Sequence, residues 1–330
     1  MTITTILGAG AMGTACACVL SDRSDVEVRL WARNPEYANE IRRTRVNARL
    51  LPTAVIPDRV DVTADTHAAL AGADVILICI PTRGLREAIG TMRSAIPPQA
   101  LLVSSIKGIE PDTFQRPSQI LRELTNERPV VVLGGPCHAE EITARKPASV
   151  VAACEHIHAA EQVQALLSTS YLRVYANSDQ TGVELSAALK NVIAIAAGIC
   201  DGLQFGDNAK AALITRGLAE MIRFGVTLGA APETFYGLAG VGDLFTTCSS
   251  RHSRNRAVGE RLGRGETLAA IQQSMHAVAE GVVTARSVSS LARERGIDMP
   301  IATQVARVLF EGKSPRQATE ELMQRPLKSE

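Results

Sequence analysis

Residues 6–15 read Ile6-Leu7-Gly8-Ala9-Gly10-Ala11-Met12-Gly13-Thr14-Ala15. The stretch is G-x-G-x-x-G, with the β-like run Ile3–Leu7 before it and an alanine-rich helical run after it. Three glycines alone are a weak signal, but between a strand and a helix they mark a dinucleotide loop. Gly8 permits the tight turn, Gly10 lets the backbone approach a pyrophosphate, and Gly13 lets the helix pack close to the strand. Free N–H groups at the helix start, together with the helix dipole, favour the phosphate charge.

Outward from this loop, short apolar runs alternate with amphipathic stretches. The expected strands are Ile3–Leu7, Val26–Trp31, Asp74–Ile80, Ala100–Ser105, Val130–Leu133, Ser149–Ala153 and Leu172–Tyr175. Several are near-continuously apolar, as strands buried on both faces of a parallel sheet must be. Helical patterns lie between them, as in TRGLREAIGTMRSAI and IHAAEQVQALLS. Strand and helix in alternation give a doubly wound α/β sheet of the Rossmann type. After Tyr175 the pattern becomes helical throughout, starting with TGVELSAALKNVIAIAAGI. The expectation is therefore α/β: a Rossmann domain over residues 1–179, then an all-α substrate domain over 180–330.

Composition narrows the function. With 330 residues the chain has room for two domains, and 35 basic against 34 acidic residues leave a net charge of +1. No global basic field attracts nucleic acid or anionic lipid. One Trp, four Tyr and six Phe are too few for rows of base-stacking rings. No apolar run reaches the roughly 18 residues of a membrane span, so no integral membrane segment is expected. The start MTITTILGAG has no basic n-region, and seven cysteines without a C-x-x-C pair read as thiols of a reducing compartment. Cys16 and Cys18 are too close for the usual zinc knuckles, so no metal is expected. The location expected is cytoplasmic.

Polar groups in unusual places supply the candidate site. An NAD-only loop usually has an acid about 20 residues on, but here the second strand ends Trp31-Ala32-Arg33. The Arg33 guanidinium suits a 2′-phosphate; otherwise it stacks on adenine or points to solvent. Lys107, in Ser104-Ser105-Ile106-Lys107-Gly108, follows a strand's carboxyl end and is either a ligand contact or a solvated lysine. Gly134-Gly135-Pro136-Cys137-His138-Ala139 follows the next strand; adjacent Cys137 and His138 are not expected to form a thiol–imidazole pair. Lys190 sits in a helix apolar nearly all round, where a lysine must be paired or line a polar cavity. It is either a proton-transfer group or half of a buried ion pair, with Asn191 placed to orient it. Gly237–Asp243 follows no strand and reads as a tight helix–helix turn. Ser253-Arg254-Asn255-Arg256 suits a small phosphate or is a solvated helix start capped by Ser253.

Together these pieces resemble the bacterial NAD(P)-dependent glycerol-3-phosphate dehydrogenase family. The resemblance rests on LGAGAMGTA, IKG, GGPCHAEE, LKNVIAIAAG, FGDNAKAALITRGLAEM, GLAGVGDLFTTC, SRNR and VAEG, in family order from residue 6 to about 281, and on the tail DMPI with VARVLFEGKSP. It implies reduction of dihydroxyacetone phosphate with NADPH or NADH, for phospholipid synthesis, by a homodimer. Lys190 matches the catalytic lysine. Lys107, Gly135, Cys137, Asp243, Ser253, Arg254 and Asn255 match substrate positions, together with Lys190 itself. Gly8, Gly10, Ala11, Met12, Gly13, Arg33, Lys107, Ala139, Arg254, Val278 and Glu280 match cofactor positions. Cys137 departs from the family's usual Ser or Thr, and Ala11-Met12 from the frequent Ser plus aromatic. Alternative readings are another Rossmann-plus-helical dehydrogenase of the β-hydroxyacid type and a non-catalytic dinucleotide-sensing regulator.

Overall fold

The computed structural model describes residues 1–275 and 279–327. The chain divides into two compact units, one of residues 1–107 and 115–184, the other of 108–114 and 185–330.

The first unit contains ten strands: β1 Thr2–Leu7, β2 Val26–Trp31, β3 Val46–Asn47, β4 Leu51–Val55, β5 Val60–Thr63, β6 Val75–Ile78, β7 Leu101–Ser104, β8 Val130–Gly134, β9 Ala148–Ala153 and β10 Leu172–Asn177. Eight of them form one sheet in the order β10-β9-β8-β7-β6-β1-β2-β5. All neighbours run parallel except β8 and β9. The chain leaves β1 for β2 on one side and returns to β6 on the other, so the doubly wound sheet is present. The reversal at β9 was not expected from the sequence.

Alternation along the strands shows why apolar runs were needed. Ile6, Leu77, Val103 and Val131 enter one core, whereas Leu7, Ile76, Leu102 and Val130 enter another. β6 and β8 are buried on both faces along their whole length, as the central strands of a sheet covered on both sides must be. Three strands escaped the sequence reading. In β5 the run VDVT is half polar, because this edge strand pairs with β2 alone and leaves Asp61 exposed. β3 and β4 form a small antiparallel pair whose register shifts between Val46 and Asn47.

The second unit has no strand among its described residues. Its spine is the helix Gln180–Gly202, and the division between the units falls inside this helix, after Glu184. This helix is an apolar run long enough to count, which the sequence reading did not find. It has 23 residues, its best window has mean hydropathy 1.6, and by length and composition it is apolar enough to span a bilayer. Yet 94% of that window is buried within the protein, as in the core helix of a folded domain. The helix Arg254–Gly263 packs on it with backbones almost touching. A Cβ on Gly198 would run into Arg256 O, one on Gly259 into Ile195 O, and one on Gly263 into Ile199 O. Two G-x-x-x-G pairs, Gly198/Gly202 and Gly259/Gly263, therefore set this crossing, and neither was read from the sequence.

Candidate active site

In the first unit the glycines have separate steric tasks. Gly8 has φ +114°, and a Cβ there would meet Cys79 O at 2.8 Å. A Cβ on Gly13 would overlap Gly8 O, so the helix Ala11–Ser21 approaches β1 only because Gly13 lacks one. Gly10 has nothing within 4 Å of where its Cβ would stand. It is the N-cap of the helix and makes no side-chain cap bond. The helix thus presents open N–H groups beside open space, the arrangement that binds a phosphate. The residues fit a dinucleotide pyrophosphate there, with Ala11 and Met12, both half-buried, offering main-chain donors.

A residue that sequence reasoning missed holds this loop from behind. Asn47 is fully buried, and its amide donates to Ala9 O at 3.0 Å and Thr14 Oγ1 at 2.8 Å. Tyr37 Oη donates in turn to Asn47 Oδ1. No motif marks Asn47, since its role depends on the small pair β3–β4. Arg33 stands just past β2, exposed, with no hydrogen bond or ion pair among the described residues.

Further along the carboxyl edge, the structure brings Lys107 and Cys137 together. Lys107 Nζ donates to Gly135 O at 3.2 Å and to Cys137 Sγ at 2.9 Å. Gly135 has φ +104° and lies against Val150, where a Cβ would stand 3.2 Å from its Cα. Ala139, buried, opens the short helix Ala139–Thr143.

In the second unit, Lys190 is 5% exposed. Its Nζ donates to Asp243 Oδ1 at 2.5 Å and to Thr247 Oγ1 at 2.8 Å. Asp243 and Thr247 are one turn apart on the helix Asp243–Ser249, entered from the π-helical turn Leu238–Gly242. Gly237–Asp243 is indeed a turn between helices, not a second loop for a dinucleotide. Thr247 was missed, although the i, i+4 spacing from Asp243 would have shown it once that helix was placed. The neighbouring Cys248 thiol is pushed up to about 12 by burial, and Lys190 only partly opposes this.

Asn191 is tied to Asn255 and to its own helix. Its Oδ1 accepts from Asn255 Nδ2 at 2.9 Å, and its Nδ2 donates to Ala187 O at 3.3 Å. Asn255 Oδ1 accepts from Gly281 N at 2.9 Å, so the Asn255 amide joins three segments. Ser253 caps the helix Arg254–Gly263 by accepting from Arg256 N at 3.2 Å. Arg256 is drawn away to Asp201 at 2.7 Å. Arg254 is exposed, with no hydrogen bond or ion pair among the described residues. Glu280, half-buried, starts the helix Glu280–Arg295, and Val278 lies outside the described residues.

A doubly wound sheet with an open glycine loop, followed by a helical unit carrying a buried lysine on a carboxylate, defines a dinucleotide-dependent dehydrogenase. The NAD-dependent glycerol-3-phosphate dehydrogenase N-terminus matches residues 3–160, and the C-terminus of the same family matches 179–320. The chain belongs to this family of NAD(P)-dependent oxidoreductases. It is 46% identical to a glycerol-3-phosphate dehydrogenase (NAD(P)+) of Chlorobium phaeobacteroides, over 99% of this chain and 98% of that one. Identity to the enzyme of that name from Geobacillus thermodenitrificans is also 46%, over 99% and 96% of the two chains. The crystal structure of glycerol-3-phosphate dehydrogenase from Coxiella burnetii superposes with a TM-score of 0.94 at 37% identity, over 98% of this chain and 99% of that one.

Proposed function

We propose that this protein is an sn-glycerol-3-phosphate dehydrogenase that reduces dihydroxyacetone phosphate at C2, in the cytoplasm, for glycerophospholipid synthesis. The observation that carries the reading is Lys190: buried, and held at 2.5 Å by Asp243 and at 2.8 Å by Thr247. Bound NADPH or NADH supplies the hydride. Lys190 polarises the carbonyl oxygen and gives it a proton. Asp243 is the counter-charge of Lys190, and with Thr247 it fixes the position of Nζ. Arg254 takes the substrate phosphate with bidentate bonds, away from the reacting carbon, so that phosphate binding orients the carbonyl. Ser253 and Asn255 shape this end of the site, while Gly135, Cys137 and Lys107 line the substrate side of the sheet edge. Gly8, Gly10, Ala11, Met12 and Gly13 hold the pyrophosphate. Arg33 takes a 2′-phosphate, and Ala139, Val278 and Glu280 complete the cofactor contacts.

On this reading residues 1–179 bind the cofactor and 180–330 the substrate. The active species is a homodimer. Support for that comes from Val226, Tyr236, Val241 and Phe245, which are 47%, 64%, 39% and 63% exposed within one stretch of the helical unit. Replacing Lys190 tests the mechanism. Lys190→Ala should lower kcat by about 10²–10⁴-fold, the usual worth of a positioned acid–base group, with dinucleotide binding retained. Near-normal turnover by that variant would remove Lys190 from the chemistry.

A further inference from the structure

One buried amide grips the glycine loop of the first unit from its inner side. Asn47 ends the two-residue strand β3 and is fully buried. Its side chain is engaged at both ends. Nδ2 donates to Ala9 O at 3.0 Å and to Thr14 Oγ1 at 2.8 Å. Oδ1 accepts from Leu50 N at 3.1 Å and from Tyr37 Oη. The Leu50 N–H can only donate and the Ala9 carbonyl can only accept, so the amide fits one way round. The Tyr37 ring in turn carries the Arg49 guanidinium, 4.8 Å from its centroid.

Two of these bonds reach the loop region, and they do different things. Thr14 lies within the helix Ala11–Ser21, where its N–H already donates to Gly10 O at 2.9 Å. Ala9 O belongs to the loop itself. The Ala9–Gly10 peptide is planar and trans, so its N–H points opposite to its carbonyl. With Ala9 O drawn inward to Asn47, the Gly10 N–H is turned away from the buried side, and it meets no acceptor among the described residues. Nothing lies within 4 Å of where a Gly10 Cβ would stand, so a ligand oxygen has room to approach this backbone. Successive N–H groups facing one space attract an anion. Were this peptide turned over, its carbonyl would face the anion instead and repel it.

We propose that Asn47 is a positioning residue for the cofactor: by fixing the Ala9–Gly10 peptide it aims the Gly10 N–H at the pyrophosphate, and it sets dinucleotide affinity without touching the ligand. The proposal rests on the reading of the loop as the cofactor site. It also gives the small β3–β4 pair a task, since Asn47 stands where the register of that pair shifts. The effect falls on binding and not on hydride transfer, because Asn47 acts only through the loop.

The test measures binding and turnover in variants of the intact protein. Asn47→Asp keeps the shape of the side chain and the contacts of Oδ1 but cannot donate to Ala9 O. Asn47→Leu removes the same bond without adding a charge. Both should raise Kd and KM for NADPH by about 10–100-fold, the worth of one hydrogen bond to a charged group. The kcat at saturating NADPH and the KM for dihydroxyacetone phosphate should stay near wild type. Adenosine 2′-monophosphate, which has no pyrophosphate, should bind the variants as it binds the wild-type protein. A merely structural role would cut kcat with KM unchanged, or weaken both nucleotides equally, and either result would overturn the proposal. Thr14→Val leaves the bond to Ala9 O in place and should keep normal NADPH affinity; a loss equal to that of Asn47→Leu would overturn the proposal as well.

The wild-type protein decides the matter even where a variant fails to fold. In its nitrogen-15 glycine spectrum the Gly10 amide proton should move downfield with NADPH and stay in place with adenosine 2′-monophosphate. An unmoved Gly10 resonance with NADPH bound would overturn the proposal alone. No binding of NADPH at all would overturn the reading of the loop, and the proposal with it.

Discussion

Gly8, Gly10 and Gly13 have three different reasons to be glycine: a left-handed φ, open space, and contact with a carbonyl. All three were legible because the loop's chemistry is local, fixed by the backbone within six residues. Lys190 was legible only as a problem, a cation in an apolar helix. Its solution, Asp243 with Thr247, comes from a helix more than 50 residues away and could not be read from spacing. Asn47 was illegible for the same reason. Arg33 was legible from position, and it is exposed and unengaged among the described residues. If it takes a 2′-phosphate, Arg33→Glu should lower the NADPH-to-NADH ratio of kcat/KM about tenfold or more, because a charge-assisted bond is worth about 1.5–3 kcal/mol. An unchanged ratio in steady-state assays with both cofactors would remove that role.

At the scale of elements, strands buried on both faces announced themselves, and so did the alternating β10, whereas the short, partly polar β3, β4 and β5 did not. β6 and β8 are apolar throughout, whereas β5 and the β3–β4 pair lie where polar residues are tolerated. The helix crossing through Gly198, Gly202, Gly259 and Gly263 was also hidden, since helical glycines read only as weak helix formers. Gly259→Ala weighs two effects against each other. Alanine gains about 1 kcal/mol of helix propensity. Its Cβ, however, would overlap Ile195 O and lie 2.9 Å from Ile199 N, all of it unyielding backbone. Overpacking costs about 1–3 kcal/mol, so the variant should melt lower and bring less substrate affinity, as Asn255 is drawn from Asn191. Calorimetry would contradict this with an unchanged or higher Tm.

Glu220 gives the helical unit a pH dependence of its own. It is 3% exposed, and it caps the helix Pro300–Phe310 by accepting from Ile301 N at 2.6 Å and Ala302 N at 3.2 Å. Burial, opposed by those bonds, raises its pKa to about 7. Below about pH 4.5 the carboxyl is protonated both folded and unfolded. As pH rises toward 7 the unfolded chain loses this proton first, so stability falls across that window by on the order of 3 kcal/mol and then levels off. Denaturant melts from pH 5 to 8 should show this slope in the wild-type protein and a flatter one in Glu220→Gln. Identical slopes would mean that the carboxyl ionises normally.

For the whole molecule, near-neutrality conceals local concentration. The net charge is +1, yet Arg33, Lys107, Lys190 and Arg254 all fall among the residues assigned to two phosphorylated ligands. The overall charge gave no sign of a polyanion and left small anions open. The family follows from both halves of the chain, but the substrate assignment rests on how Lys190 and Arg254 act on one molecule. The most direct measurement is NADPH oxidation by the purified wild-type protein, with dihydroxyacetone phosphate, unphosphorylated dihydroxyacetone and 2-keto acids as alternative acceptors. The account predicts turnover with dihydroxyacetone phosphate and a large loss of kcat/KM when the phosphate is missing. Equal use of dihydroxyacetone, preference for a 2-keto acid, or cofactor binding without turnover of any acceptor would contradict it.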